Sequence, residues 1–173
     1  MAKPKGYVKD DKVWRSMKAN LRKANSQINV GWFEGQRYGA ENNNLPMAQV
    51  AQWVEEGHRG GWAPTPPRPV IRTYFIPALA ESGELVSKAI PLVHQVAMGS
   101  ISWKKLHEKL APSILYKFKY AIEVYNTKPN TPTTVRLKGF NNPWIETGAL
   151  LNNARFDVAK YSSAAYRTSY KLK

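Results

Sequence analysis

Apolar residues recur along this chain with two periods, and the points where the period changes divide it into elements. After Asp10 and Asp11, either of them a good N-cap, Trp14, Met17, Leu21 and Ala24 recur at helical spacing, and Arg15, Lys18 and Arg22 recur on another face. The pattern predicts a helix over about 11–25. Gln27-Ile-Asn-Val-Gly-Trp-Phe33 alternates polar and apolar as far as Val30 and then runs apolar, as a strand does. Gly35, Gly39 and Asn42-Asn-Asn44 make the loop after it. Met47, Val50, Ala51 and Val54 stand at i, i+3, i+4 and i+7, which predicts a helix of about ten residues with Pro46 in its first turn and Gly57 as its cap.

Four prolines then stand within Gly60-Gly-Trp-Ala-Pro-Thr-Pro-Pro-Arg-Pro69, where fixed φ angles and missing amide donors forbid both a helix and a central strand. From Ala78 to Ala97 the stripe Leu79, Val86, Ala89, Ile90, Val93 and Ala97 predicts a helix that Pro91 bends or breaks. A second stripe, Trp103, Leu106, Leu110, Ile114, Phe118, Ala121, Ile122 and Tyr125, runs for about six turns, with Pro112 as either a kink or the start of a new helix. Residues 133–138 read as a short helical turn. Phe156 and Val158 alternate within 154–161 like a half-buried strand, and 165–172 reads as another, joined to it through Ser162-Ser163.

These elements predict an α+β fold: a small antiparallel sheet of strands near 28–33, 154–161 and 165–172, packed against long central helices. The 173 residues suit a single domain. Residues 1–10 read as a flexible N-terminal arm, and 57–69 and 127–144 as extended loops.

The charge changes the picture more than the length does. The chain carries 26 Lys and Arg against 12 Asp and Glu, a net +14, and the excess is uneven. Residues 1–26 hold 8 basic and 2 acidic groups and residues 101–138 hold 8 and 2, whereas residues 27–100 hold 5 and 6. Such blocks attract phosphate or acidic protein surfaces over about 8 Å at physiological salt. Equally, they suit the solvated faces of amphipathic helices.

Several chemistries are missing. With no cysteine there is no disulfide framework, thiolate metal site or thiol nucleophile. His58, His94 and His107 lack the spacing of a metal-binding pair, and no phosphate loop, nucleophile elbow or zinc-protease motif occurs. No cofactor is expected. Glu55-Glu56-Gly57-His58 offers an acid beside a base, the best enzymatic candidate, although the same residues read more simply as a helix end and a loop start. Trp103-Lys-Lys105 and Tyr116-Lys-Phe-Lys-Tyr120 have the composition of a stacking platform for single-stranded nucleic acid. The helical period instead assigns Trp103 and Phe118 to the core. No run approaches the roughly 20 apolar residues of a membrane span, and no apolar h-region follows the charged start, so a cytoplasmic protein is expected.

Four stretches in order resemble the head-tail joining, neck or tail-completion proteins of long-tailed bacteriophages, the virion-morphogenesis family. They are Ile28-Asn-Val-Gly-Trp-Phe33; Val50-Ala-Gln-Trp-Val-Glu-Glu-Gly57 with Pro66-Pro-Arg-Pro69; Pro129-Asn-Thr-Pro-Thr-Thr-Val-Arg-Leu-Lys-Gly139; and Pro143-Trp-Ile-Glu-Thr-Gly-Ala-Leu-Leu151 ahead of Ala154-Arg-Phe-Asp-Val158. Details depart from the family: Val54-Glu-Glu-Gly57 replaces Asn-Glu-Phe-Gly, Val70 stands where Phe is usual, and Trp144-Ile-Glu-Thr-Gly148 replaces Leu-Ile-Asp-Thr-Gly.

The resemblance implies a structural virion protein, not an enzyme, assembled in the host cytoplasm and located in the neck. There it would form a homo-oligomeric ring between the portal or adaptor proteins of the head and the tail terminator or tail tube. Pro66, Pro67, Arg68 and Pro69, with Trp144, Ile145, Glu146, Thr147 and Gly148, are then the expected subunit or partner contacts, because stiff loops lose little entropy on docking. Double-stranded DNA in the channel would meet basic groups without sequence readout. The candidates are Arg15, Lys18 and Arg22 in one block and Lys104, Lys105 and Lys109 in the other. The alternative is a basic nucleic-acid-binding protein acting as a monomer or dimer.

Overall fold

The computed structural model describes residues 12–60 and 64–161. The N-terminal arm expected at 1–10, the turn at Ser162-Ser163 and the strand expected at 165–172 lie outside the described residues. Within them the chain runs α1 (Lys12–Leu21), β1 (Ser26–Gly31), a 3₁₀ turn (Ala40–Asn42), α2 (Met47–Glu56), and a π-helical turn (Ile71–Phe75) leading into α3 (Ile76–Ala80). Then follow α4 (Gly83–Ala97), α5 (Trp103–Val124), α6 (Pro132–Lys138), α7 (Ala149–Asn153) and β2 (Arg155–Lys160). The fold is α+β. β1 and β2 pair antiparallel, Ser26 opposite Lys160 and Gly31 opposite Arg155, and α5 packs against both strands.

α5 is the central element. Its buried residues Leu106, Ala111, Phe118, Ala121 and Ile122 follow the helical period, and Tyr125 continues the line just past the end. Pro112 does not start a new helix: it is carried inside α5, on the exposed side. Phe118, Ile122, Tyr125, Val70, Phe75, Met47, Ala51, Trp144, Leu150 and Ala154 form one core cluster. Phe118 makes T-shaped contacts with both Trp32 and Phe75, at centroid distances of 5.3 and 5.0 Å.

The helices depart from the sequence pattern in several places. Helical structure starts at Ile71, not Ala78, and it breaks at Glu81–Ser82, not at Pro91. The Ser82 hydroxyl accepts from the Leu85 amide and so starts a new helix, whereas exposed Pro91 is carried inside α4. The 127–144 segment is not extended throughout, because Thr131 caps α6 and left-handed Gly139 ends it.

Only part of the apolar stripe expected over 78–97 faces inward: Leu79, Ala89 and Ala97 do, and Val86, Ile90 and Val93 do not. Leu85, Ala89, Leu92 and Val96 turn inward, while Val86 and Ile90 are 57% and 65% exposed. α4 has two adjacent apolar stripes, and periodicity cannot choose between them. On α1 Met17 and Asn20 are half-buried, whereas Trp14 and Leu21 of the expected stripe are exposed. The helix ends at Leu21, short of the expected residue 25.

Candidate functional site

The segments singled out in the sequence meet around Trp144. Its indole N–H donates to the Arg68 carbonyl at 2.9 Å, its backbone amide donates to Asn142 Oδ1 at 2.8 Å, and its ring stacks on Trp32 at 6.1 Å and 16°. Trp32 in turn donates to the Leu150 carbonyl at 2.8 Å. The Asn142 amide closes two carbonyls at the end of α5, those of Ile122 and Glu123. Lys138 caps the Asn142 and Ile145 carbonyls, and burial lowers its pKa, with Glu146 opposing that shift. The four stretches thus share one hydrogen-bonded unit.

The proline segment is fastened on both sides. Its Arg68 amide donates to the Val54 carbonyl at 2.9 Å, and His58 and Thr65 exchange two backbone hydrogen bonds of 3.0 and 2.8 Å. Glu55, buried at the end of α2, accepts from the amides of Ile71 and Arg72 at 3.0 and 3.2 Å, and from Arg72 Nε at 3.4 Å. An acid of this kind, placed where helical backbone begins, satisfies amides that have no helical partner. Gly57 lets the chain turn here. Its φ is +82°, and a Cβ would stand 2.9 Å from the Pro67 nitrogen and the Thr65 carbonyl oxygen.

Of the expected contact residues, Pro66, Pro67, Glu146 and Thr147 are exposed, while Arg68, Pro69, Ile145 and Gly148 are half-buried. Trp144 is a correction. At 2% exposure it cannot meet a partner and instead anchors the two loops to each other. Gly148, with φ +78°, precedes α7 and so opens a helix within the segment. Between this segment and α2 lies a groove of about 210 Å³, floored by Leu45, Val50, Val54, Trp144 and Leu150 and rimmed by Glu146 and Thr147. Tyr38 lines it, its hydroxyl pKa raised by burial and by Glu146. Sequence reasoning missed Tyr38 and Leu45; the signal was slight, two apolar residues in a loop of Gly and Asn.

The basic candidates come from two blocks, and the structure joins the blocks at one corner. Trp103 Nε1 donates to the Asn20 carbonyl at 3.2 Å, and Asn20 Nδ2 donates to the Ala97 carbonyl at 3.1 Å. Arg15 and Lys18 stand at i and i+3 on α1, away from Met17 and Asn20, and Arg22 follows in the turn after its end, its amide donating to the Lys18 carbonyl at 3.1 Å. Lys18 Nζ lies over the Trp14 ring at 5.4 Å. Lys104, Lys105 and Lys109 are exposed on the first turns of α5, and Lys105 pairs with Glu108 at 3.2 Å.

The remaining candidates are placed as follows. Glu55 is committed to backbone amides, Glu56 accepts from Gln52 at 3.1 Å, and the His58 ring stacks on Trp53 at 4.5 Å. α2 ends and the loop begins at these residues. His107 shares a 2.8 Å hydrogen bond with Ser26, and burial lowers its pKa. Phe118 is core, but Tyr116 and Tyr120 are exposed and stack on each other at 6.3 Å. Among the described residues no group of three or more His, Cys, Asp or Glu is placed to hold a metal ion, and no helix is long and apolar enough to cross a membrane. No protein-family model, curated protein or solved structure matches the chain.

Proposed function

We propose that this chain is a structural component of a bacteriophage neck, joining the portal or adaptor proteins of the head to the tail terminator or tail tube as one subunit of a ring around the DNA. The observation that carries the reading is the Trp144–Arg68 hydrogen bond, through which the proline segment and the 143–148 segment, far apart in sequence, become one rigid element. The resemblance rests on short motifs, and their assembly around a common tryptophan pair gives those motifs a shared physical purpose. Pro66, Pro67, Glu146 and Thr147 remain exposed on the element and are its contact residues.

A ring closes through heterologous contacts, each of which needs a surface that is not already satisfied within the subunit. The outward stripe of α4 supplies one: Val86, Ile90 and Val93 are exposed, and residues 89–103 contain no Asp, Glu, Lys or Arg. In a chain of net charge +14, this is where copies can meet without bringing like charges together. No bond is made or broken in this role. Electron microscopy of particles made without the protein tests it: separate full heads and finished tails are expected, and normal virions would overturn it.

A further inference from the structure

The groove beside Trp144 is the acidic part of a basic chain. Its walls come from 38–57, which ends at the cap of α2, and from 139–154, which runs from the end of α6 to β2. Together these stretches hold Glu41, Glu55, Glu56 and Glu146 and no Lys or Arg, in a chain of net charge +14. Three of the acids are engaged within the subunit: Glu55 by the Ile71 and Arg72 amides, Glu56 by Gln52 and Glu41 by Asn42. Glu146 is exposed on the rim, and no described Lys, Arg or His forms an ion pair with it. Lys138 donates instead to the carbonyls of Asn142 and Ile145.

We propose that this groove is a docking site for one arginine or lysine side chain of a partner protein, with the aliphatic stem on Leu45, Val54 and Trp144 and the cationic head against Glu146 and the Tyr38 hydroxyl. Size, lining and charge each select that occupant. At about 210 Å³ the groove falls below the roughly 300–1,000 Å³ of sites that take whole ligands, and it suits one side chain. A long cationic side chain has the two parts that the groove offers to match, an apolar stem and a charged end. An apolar side chain would cover the floor but strip water from Glu146 and replace none of its hydrogen bonds. An acidic side chain, or a phosphate, would meet Glu146 with like charge. The Tyr38 hydroxyl, its pKa raised by burial and then by Glu146, stays neutral, and its oxygen can accept from the head group. Arginine should bind ahead of lysine, because a guanidinium is less strongly hydrated, carries more donors and stacks on aromatic rings.

The inference rests on the neck reading, in which Glu146 and Thr147 are contact residues, for the existence of a partner, and its test uses the full chain with small probes. NMR titration follows the amides of residues 145–149 as N-acetyl-arginine methylamide is added, with the lysine, norleucine and glutamate analogues in parallel. Saturable shifts are expected, with arginine binding best, lysine next, norleucine more weakly and glutamate not at all. Glu146 is exposed, so Glu146→Gln should leave the fold intact. It should weaken binding of the arginine probe about fivefold and leave norleucine unchanged. Glu81→Gln, an equal change of charge on the exposed turn between α3 and α4, should alter neither. Equal binding of the arginine and glutamate probes, or unchanged arginine affinity in Glu146→Gln, would overturn the proposal. Free arginine carries a carboxylate of its own and should bind more weakly than the capped form; tighter binding would make the groove a site for the free amino acid and overturn the assignment to a partner protein. If the probes do not bind but particles made without the protein still fail to join, this inference alone fails. If they bind as stated but normal virions form without the protein, the neck reading alone fails.

Discussion

The Trp144 indole reaches across 76 residues of sequence to donate to the Arg68 carbonyl at 2.9 Å, while its ring stacks on Trp32. That single side chain couples the proline segment to the loop ahead of α7 and fills the core between them. Trp144→Phe keeps most of the packing but leaves a carbonyl without its donor, so it should cost about 1–3 kcal/mol. Trp144→Ala should cost about 3–5 kcal/mol. Urea unfolding measures both, and limited proteolysis between residues 64 and 69 should quicken in each; equal destabilisation by the two variants would contradict the separate roles of ring and N–H.

Glu55 holds the start of the π-helical turn through two amides and the Arg72 side chain. Glu55→Gln keeps one acceptor and loses the charge, and it should destabilise by about 1–2 kcal/mol, the difference between charge-assisted and neutral hydrogen bonds. Chemical denaturation checks this. No change would mean that the carboxylate is dispensable there.

Gly57 and Gly139 have nearly equal φ angles, +82° and +78°, but different surroundings. Alanine at Gly139 meets open space and should cost about 1 kcal/mol for the left-handed conformation alone. Alanine at Gly57 adds a collision with the Pro67 nitrogen and the Thr65 carbonyl, so thermal melts should place it well below Gly139→Ala in stability.

Burial lowers the pKa of His107 below its ordinary 6.5, so the unfolded chain binds a proton more readily than the folded one. The sign follows: His107 makes no demand on stability above pH 6.5, and stability falls as pH drops below that value toward the folded pKa. Melting temperatures from pH 8 to pH 5 should decline more steeply for the wild type than for His107→Gln. Parallel curves would contradict this.

Ile90 is 65% exposed, and charging it should leave the isolated subunit within about 0.5 kcal/mol of wild type, as surface changes do. On the proposed neck role, Ile90→Lys should nevertheless abolish head–tail joining, as scored by electron microscopy of particles. Joining at the normal level would remove α4 from the subunit contact.

Most of the helices were legible because their buried faces repeat at 3.6 residues: Leu106, Phe118, Ala121, Ile122 and Tyr125 identify α5 without help from the rest of the chain. β1 and β2 were legible by alternation, and Thr131 and Gly139 mark the ends of α6. The π-helical turn was not legible, since Pro69 and Pro77 flank it and its amides depend on Glu55, 16 and 17 residues away. The groove at Tyr38 and Leu45 was hidden for a similar reason: its walls come from segments about a hundred residues apart, and neither wall is unusual alone.

The linear order of residues determined the α+β class, the central helix, the stiffness of the proline segment and the two basic blocks, because periodicity, fixed φ angles and charge are local properties. Tertiary structure decided which of two apolar stripes on α4 faces inward, that Trp144 is an anchor and not a contact, and that Arg22 and Lys104 share one corner. Those outcomes depend on which surfaces compete for the same core, and that competition is resolved only when every element packs at once.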